Sequence, residues 1–450
     1  MTVASLIAKY DQRVPRYTSY PTAPHFSAGV TPDVHAAWLG SLPDDGALSL
    51  YLHVPFCASL CLFCACHTTV VHRLEPLVAY GKTLEAEIAL VADAIGRTLP
   101  VRHIHWGGGT PTILPPAVMH AIMQRLRTRF AVQPDAEIAV EIDPRTLSDE
   151  GIDGLARMGT TRASLGVQDF EPSVQQAINR DQSLELTASC TAKLRAAGIG
   201  SINLDLIYGL PRQTTPGVID TVTQALSLAP DRAAVFGYAH VPWMKKHQAL
   251  IPEASLPGPQ ERFAQRQAVE DTLTGDGYQA IGLDHFARPG DSLAIAAAEG
   301  RLRRNFQGYT TDDAPTLLGL GASSIGALPG GYVQNHAGVP AWRNAVRAGS
   351  LPTARGFALS DADRLRRHVI EQVMCHMAVD LRVAAARFGA DPASLMDAAP
   401  ALQTMQRDGL LTWNGYALHM TPKGRPFVRA AAAAFDSYLQ AGAARHSAAI

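Results

Sequence analysis

A rhythm of short apolar runs separated by segments of helical spacing, sustained from about residue 46 to 287, constrains this chain more than any other feature. Runs of strand character occur at LSLYLHV (48–54), HIHWGG (103–108), EIAVEID (137–143), RASLGVQ (162–168), SINLDLIYG (201–209) and AAVFGYAH (233–240), with YQAIGLDHF (278–286) as a candidate seventh. Between them lie segments such as LVAYGKTLEAEIALVADAI and PAVMHAIMQRLRTRF, whose apolar residues recur at helical spacing. Strand–helix alternation of this kind builds a parallel α/β sheet. No Gly-x-Gly-x-x-Gly follows the first strand. That favours a partial TIM-like (β/α)6 barrel over a doubly wound dinucleotide-binding sheet.

Polar residues and glycines gather just after these strands: the cysteines after the first, GGGTPT (107–112) after the second, Asp143-Pro144 after the third, Gln168-Asp169 after the fourth. Loops at the C-terminal ends of barrel strands form one face, so the chemistry-bearing groups are expected on a single rim.

Two regions fall outside the rhythm. Residues 1–45 read as an N-terminal arm with little core of its own, ahead of a barrel over 46–290 and a linker and barrel extension over 291–350. From 351 to 450 the pattern is mostly helical, with GLLTWNGYALHM placing two short strands around an Asn414-Gly415 turn. This predicts a small winged-helix-like domain. Packing or covering the barrel suits its modest charge better than nucleic-acid binding does.

A formal net charge of -1 supplies no global attraction to nucleic acid or an anionic membrane. No run of 18 apolar residues, the length that spans a bilayer, appears, and no secretory leader is evident, so a cytoplasmic address is expected. In a reducing compartment, clustered cysteines bind metal or do chemistry rather than form structural disulfides.

Four of the six cysteines crowd into CASLCLFCAC (57–66). Cys57, Cys61 and Cys64 have C-x3-C-x2-C spacing, and Cys66 follows. Soft thiolates suit zinc or an iron–sulfur cluster. Structural zinc takes four ligands, commonly as two separated pairs, and the next cysteine here is the distant Cys190. Three ligands of a [4Fe–4S] cluster, leaving one iron open, fit the spacing better. Zinc and unliganded thiols remain the alternatives.

With Phe63 inside it and a barrel strand before it, this loop resembles the signature of the radical S-adenosylmethionine (SAM) superfamily. The stretches PRYTSYPTAPHF, YLHVPFC, HWGGGTPT, EIDP, LGVQDF, NLDLIYGLP, YAHVPWM, DHFARP and RNFQGYTT are similar to those of the oxygen-independent coproporphyrinogen III oxidases. The resemblance implies a [4Fe–4S] cluster on Cys57, Cys61 and Cys64, with Cys66 a non-ligand that marks the oxidase branch rather than the haem-chaperone branch. It implies two SAM molecules, contacted by Tyr51, Phe63, Gly108, Gly109, Thr110, Glu141, Gln168, Arg180, Asp205, Ala239 and Ile325. Coproporphyrinogen III becomes the implied substrate, a flavodoxin- or ferredoxin-type system the reductant, and a monomer the working state. The aromatic arm is expected to act as a lid. Arg13, Arg16, Lys245, Lys246, Arg301, Arg303 and Arg304 are the candidate partners of the substrate's propionates. A reading from another class, a zinc-stabilised barrel carrying a DNA-binding winged helix, stays open at this point.

Overall fold

Every residue of strand β1, Leu48–Val54, is buried except the half-buried Tyr51, as in a strand covered on both faces. The computed structural model describes residues 2–439. Five further strands follow β1 in parallel: β2 (Pro100–Gly108), β3 (Ala131–Ile142), β4 (Arg162–Gln168), β5 (Ser201–Tyr208) and β6 (Arg232–Gly237). These are the six expected units, with β2 and β3 beginning earlier than their apolar runs suggest.

The candidate seventh strand is not one. YQAIGLDHF divides into β7 (Gln279–Ile281) and β8 (His285–Ala287), which pair antiparallel, with β8 also antiparallel to β6. The chain reverses at Gly282, whose φ of +55° and close contact with the Tyr309 ring leave no room for a side chain.

Residues 316–358 add four strands on the other side of β1: β9 (Thr316–Leu320), β10 (Ile325–Leu328), β11 (Gly331–Asn335) and β12 (Thr353–Ala358). Strand β9 lies parallel to β1, and β10–β12 run as an antiparallel meander. The single twelve-stranded sheet is ordered β12-β11-β10-β9-β1-β2-β3-β4-β5-β6-β8-β7. It is the mixed, mostly parallel sheet of a partial barrel.

Alternation along β1 decides what faces where. Leu48, Leu50, Leu52 and Val54 join the main apolar core with Leu77, Tyr80, Leu84 and Ile88 of helix Leu74–Ile95. Ser49, Tyr51 and His53 therefore point to the opposite, inner face, where polar groups meet them.

The N-terminal residues are less independent than an extended arm. Leu6, Ile7 and Tyr10 of helix Val3–Tyr10, with Tyr17 and Tyr20, share a second core with Val369, Val373, Leu402, Phe427 and Phe435. The C-terminal helix Asp361–His376 begins at a capping box between Ser360 and Asp363. Three short strands follow in the order Ala378–Asp380, Ala417–Met420, Leu411–Trp413. The last two flank the expected turn, where Gly415 takes a φ of +99°. Residues 440–450 of the expected C-terminal unit lie outside the described residues. Among the described residues no helix is long and apolar enough to cross a membrane.

Candidate active site

Directly after β1, the cysteine loop is closed on itself and gripped from several sides. Phe56–Cys57 pairs parallel with Thr69–Val70. The Gly109 and Thr110 N–H groups donate to the Val54 and Phe56 carbonyls, each at 2.8 Å. Leu62 N–H donates to the Ile178 carbonyl at 2.9 Å, and Asn179 Nδ2 to the Leu60 carbonyl at 2.8 Å. From the segment after β6, Gln248 Nε2 donates to Phe63 O at 2.8 Å, His247 Nε2 to Cys64 O at 2.7 Å and Lys245 Nζ to Cys66 O at 2.8 Å.

Each of the three motif sulfurs accepts from N–H or O–H donors. Cys57 Sγ receives Thr68 Oγ1 at 3.2 Å and Thr110 Oγ1 at 3.5 Å. Cys61 Sγ receives Arg180 at 3.5 Å and Arg145 at 3.6 Å. Cys64 Sγ receives the Cys66 N–H at 3.4 Å. Burial pushes the Cys57 thiol up. Cys64 is drawn down to about 7, chiefly by hydrogen bonding from Cys66 and against burial, with Lys245 and Arg180 assisting. Donors aimed at sulfur favour thiolates and lie where they tune a cluster. This donor set fits a [4Fe–4S] group. Among the described residues, no three His, Cys, Asp or Glu side chains gather around a point where one metal ion would sit. Cys66 is exposed, whereas Cys190 and Cys375 are buried far along the chain in separate cores.

A glycine cradle lies against the loop. A Cβ on Gly107 would stand 2.7 Å from Glu141 Oε1 and 3.0 Å from the Tyr51 ring. On Gly109 it would stand 2.5 Å from the Phe56 carbonyl and 2.9 Å from Cys57 Sγ. Gly108, at φ +119°, uses its N–H to bond Glu141 Oε2 at 3.0 Å.

Inward-facing side chains of neighbouring strands continue the site. Glu141 also meets His105 Nε2 at 3.1 Å. Burial acts to raise this carboxyl, but His105 and the Gly108 N–H bring it below its ordinary value. Tyr51 stacks on His105, centroids 5.8 Å apart, and its hydroxyl lies 2.9 Å from His53 Nδ1. Asp205 accepts from Ser164 Oγ and Asn203 Nδ2, each at 2.9 Å. Burial pushes it up to about 6 despite those bonds.

Arg180 sits between the cysteines and the strand ends. It donates to Gly166 O at 2.5 Å and lies 3.4 Å from Asp143, which Arg145 also pairs at 2.7 Å. Its Nε is buried without a partner. Gln168, at φ +73°, flanks Gly166 beside it. Two contact groups result, one of Cys57, Tyr51, Gly108, Gly109, Thr110 and Glu141 and one of Cys61, Cys64, Gln168 and Arg180, joined through the cysteine loop. Asp205 joins through its electrostatic effect from Glu141. Phe63 instead packs with Ile178 and Tyr238. Ala239 follows β6, and Ile325 lies across Gly319 from Tyr51, packed with Phe26 and Tyr332. Sequence reasoning missed Thr68, Arg145, His247 and Gln248, and gave no role to His105 and Asp143, although both stand in the stretches HWGGGTPT and EIDP at strand ends.

A protein of Bradyrhizobium diazoefficiens named oxygen-independent coproporphyrinogen III oxidase is 51% identical over 99% of this chain and 100% of its own length. The chain belongs to the oxygen-independent coproporphyrinogen III oxidase family. A namesake from Cereibacter sphaeroides is 46% identical over 98% of this chain and 99% of its own. Residues 51–225 match the Radical SAM superfamily, and residues 359–427 match the HemN C-terminal domain. The solved structure of coproporphyrinogen III oxidase (HemN) from Escherichia coli, described as a radical SAM enzyme, aligns with a TM-score of 0.90 at 38% identity. It covers 95% of this chain and 100% of that one. In this member of the oxidase family, the cysteine loop, cradle, Glu141, Gln168, Arg180 and Asp205 fall inside the Radical SAM span, whereas Ala239 and Ile325 fall outside both matched spans.

Proposed function

We propose that the chain carries out the oxygen-independent oxidative decarboxylation of coproporphyrinogen III to protoporphyrinogen IX in porphyrin biosynthesis, as an oxidoreductase of the radical SAM type. The observation that carries this is the cysteine loop at the end of β1, whose three motif sulfurs each accept hydrogen bonds beside a side-chain-free glycine cradle. End-to-end similarity to relatives bearing the oxidase name supports the substrate.

Cys57, Cys61 and Cys64 would hold a [4Fe–4S] cluster, which when bound supplies the electron that cleaves SAM and so the radical that takes a substrate hydrogen. Each propionate that becomes a vinyl loses one hydrogen atom, one carbon dioxide and one electron, the last to an external acceptor. The protein's part is binding, orientation and exclusion of water. Backbone atoms of Gly108 and Gly109 allow a ligand's close approach, Glu141 and Asp205 offer acceptors to ribose hydroxyls, and the Arg180 fork suits a carboxylate. Tyr51, Phe63, Thr110, Gln168, Ala239 and Ile325 complete the proposed contacts to two SAM molecules. A flavodoxin- or ferredoxin-type reductant, a cytoplasmic setting and a monomeric state belong to the same proposal. An anaerobic assay with coproporphyrinogen, SAM and dithionite tests it: product should form with the native protein and be lost in Cys61→Ala. Equal product from the variant would refute the role of the loop.

A further inference from the structure

Where the N-terminal arm, the end of β6 and the C-terminal helices meet, arginines outnumber carboxylates. Arg16 donates to the Gly237 carbonyl at 2.9 Å, Arg262 to the Tyr238 carbonyl at 3.2 Å and Arg304 to the Arg16 carbonyl at 3.3 Å. Arg429 backs them, bonded to the carbonyls of Val14 and Pro15. The carboxylate in their midst is Asp284, hydrogen-bonded to His285 at 2.7 Å. Burial would raise that carboxyl, yet His285, Arg304 and Arg16 hold it well below its ordinary range. The other nearby carboxylates are taken. Glu270 pairs with Arg266 at 3.0 Å and Arg425 at 3.8 Å, and Glu371 pairs with Arg303 at 3.1 Å.

Nε and Nη1 of Arg304 and Nε of Arg262 are buried with no hydrogen-bond partner. A guanidinium excluded from water and left unpaired is costly. Arg304 and Arg262 therefore present unsatisfied N–H groups to an incoming anion, with Arg16 beside them and Asp284 the carboxylate that faces Arg304 and Arg16. Guanidinium forks match carboxylates in shape as well as charge. The group is also continuous with the active site: Gly237 and Tyr238 lead directly into Ala239, and His285 meets Phe236 with centroids 5.7 Å apart while acting electrostatically on Asp205.

We propose that Arg16, Arg262 and Arg304 are the docking site for propionate carboxylates of the tetrapyrrole, seating its anionic side chains beside the end of β6. This deepens the function proposed above and rests on it. It also sorts the basic residues singled out from the sequence. Arg301 pairs with Glu299, Arg303 with Glu371 and Lys245 with the Cys66 carbonyl, and Arg13 stacks on Trp243 at 4.9 Å.

Coproporphyrin III, a stable oxidised porphyrin with the same carboxylates, is the probe, and its tetramethyl ester is the uncharged control. Binding is read by fluorescence titration of the full-length protein. Arg16→Gln and Arg304→Gln should each weaken coproporphyrin binding by about tenfold, the scale of one charge-assisted hydrogen bond, and leave ester binding unchanged. Arg304→Lys, which keeps charge but loses the fork, should fall between. Where either Gln variant lacks the native near-ultraviolet circular dichroism, Arg262→Gln carries the same expectation. Native affinity for coproporphyrin in the variants, or equal losses for acid and ester, would overturn the docking site while leaving the enzymatic proposal standing. A native protein that neither binds coproporphyrin nor converts coproporphyrinogen would overturn the enzymatic proposal itself.

Discussion

The Gln248 side chain joins two parts of the active site that lie 185 residues apart: its Nε2 donates to the Phe63 carbonyl at 2.8 Å. Its Oε1 accepts the Val241 N–H at 2.6 Å, so one fully buried amide ties the cysteine loop to the segment after β6. Gln248→Ala leaves a buried donor and a buried acceptor unmet, at a cost of about 1–3 kcal/mol. Lower urea resistance, with iron content per chain falling below that of the native protein, is the expected pair of results.

Gly109→Ala should disturb the cysteine loop directly, because the added methyl would meet the Phe56 carbonyl, Thr68 Oγ1 and Cys57 Sγ at 2.5, 2.7 and 2.9 Å. Overpacking of this kind costs about 1–3 kcal/mol. Gly200→Ala is the matched control, since nothing lies within 4 Å of its Cβ. Thermal midpoints and iron content should fall in the first variant and hold in the second.

Thr68→Val removes the hydroxyl that donates to Cys57 Sγ at 3.2 Å while keeping the side chain's shape. Hydrogen bonds to cluster sulfurs help set the reduction potential by stabilising the more negative, reduced state. A redox titration followed by electron paramagnetic resonance should find a lower potential than in the native protein. An unchanged or higher value would separate Thr68 from any tuning role.

Asp205 titrates at about 6 in the folded chain, raised chiefly by burial, whereas an unfolded aspartate titrates near 3.9 (roughly). Between those values the folded state binds the extra proton, so stability declines as pH rises from about 4 through 6 and stays lower above. Allowing for partial exposure, the effect is on the order of 2 kcal/mol. Asp205→Asn should flatten this part of the profile in denaturant titrations at pH 4.5 and 7.

Glu87 shows how buried polarity braces β1. Its carboxylate accepts from Gly321 N–H at 2.7 Å, Trp342 Nε1 at 3.0 Å and Asn335 Nδ2. Beside it, Tyr80 donates to the His53 carbonyl at 2.6 Å. Glu87→Gln replaces one acceptor oxygen by a donor facing donors, and should lower stability by about 1–3 kcal/mol. Calorimetry that shows no loss would place the brace elsewhere.

The six parallel strands were legible because each carries a buried apolar run, and the cysteine loop because three thiols at C-x3-C-x2-C spacing are a local pattern. The GGGTPT turn was visible as a local run, whereas the roles given to Gly108, Gly109 and Thr110 came from the family resemblance. YQAIGLDHF misled because its apolar content matches a strand, while the reversal at Gly282 depends on the Tyr309 ring arriving from 27 residues downstream. Strands β10–β12 and the docking of the arm on the C-terminal helices went unread for a related reason. Their pairings follow from topology, not from period.

Sequence alone therefore determined the order of α/β units and the C-x3-C-x2-C loop that follows β1, since these follow from local periodicity and spacing. Tertiary structure decided which donors face each sulfur, that Arg180 lies between Cys61 and Asp143, and that Arg16, Arg262 and Arg304 converge beside β6. Those relationships join residues from separate elements. Their energies depend on burial and direction, which exist only once the sheet has brought the strand ends together.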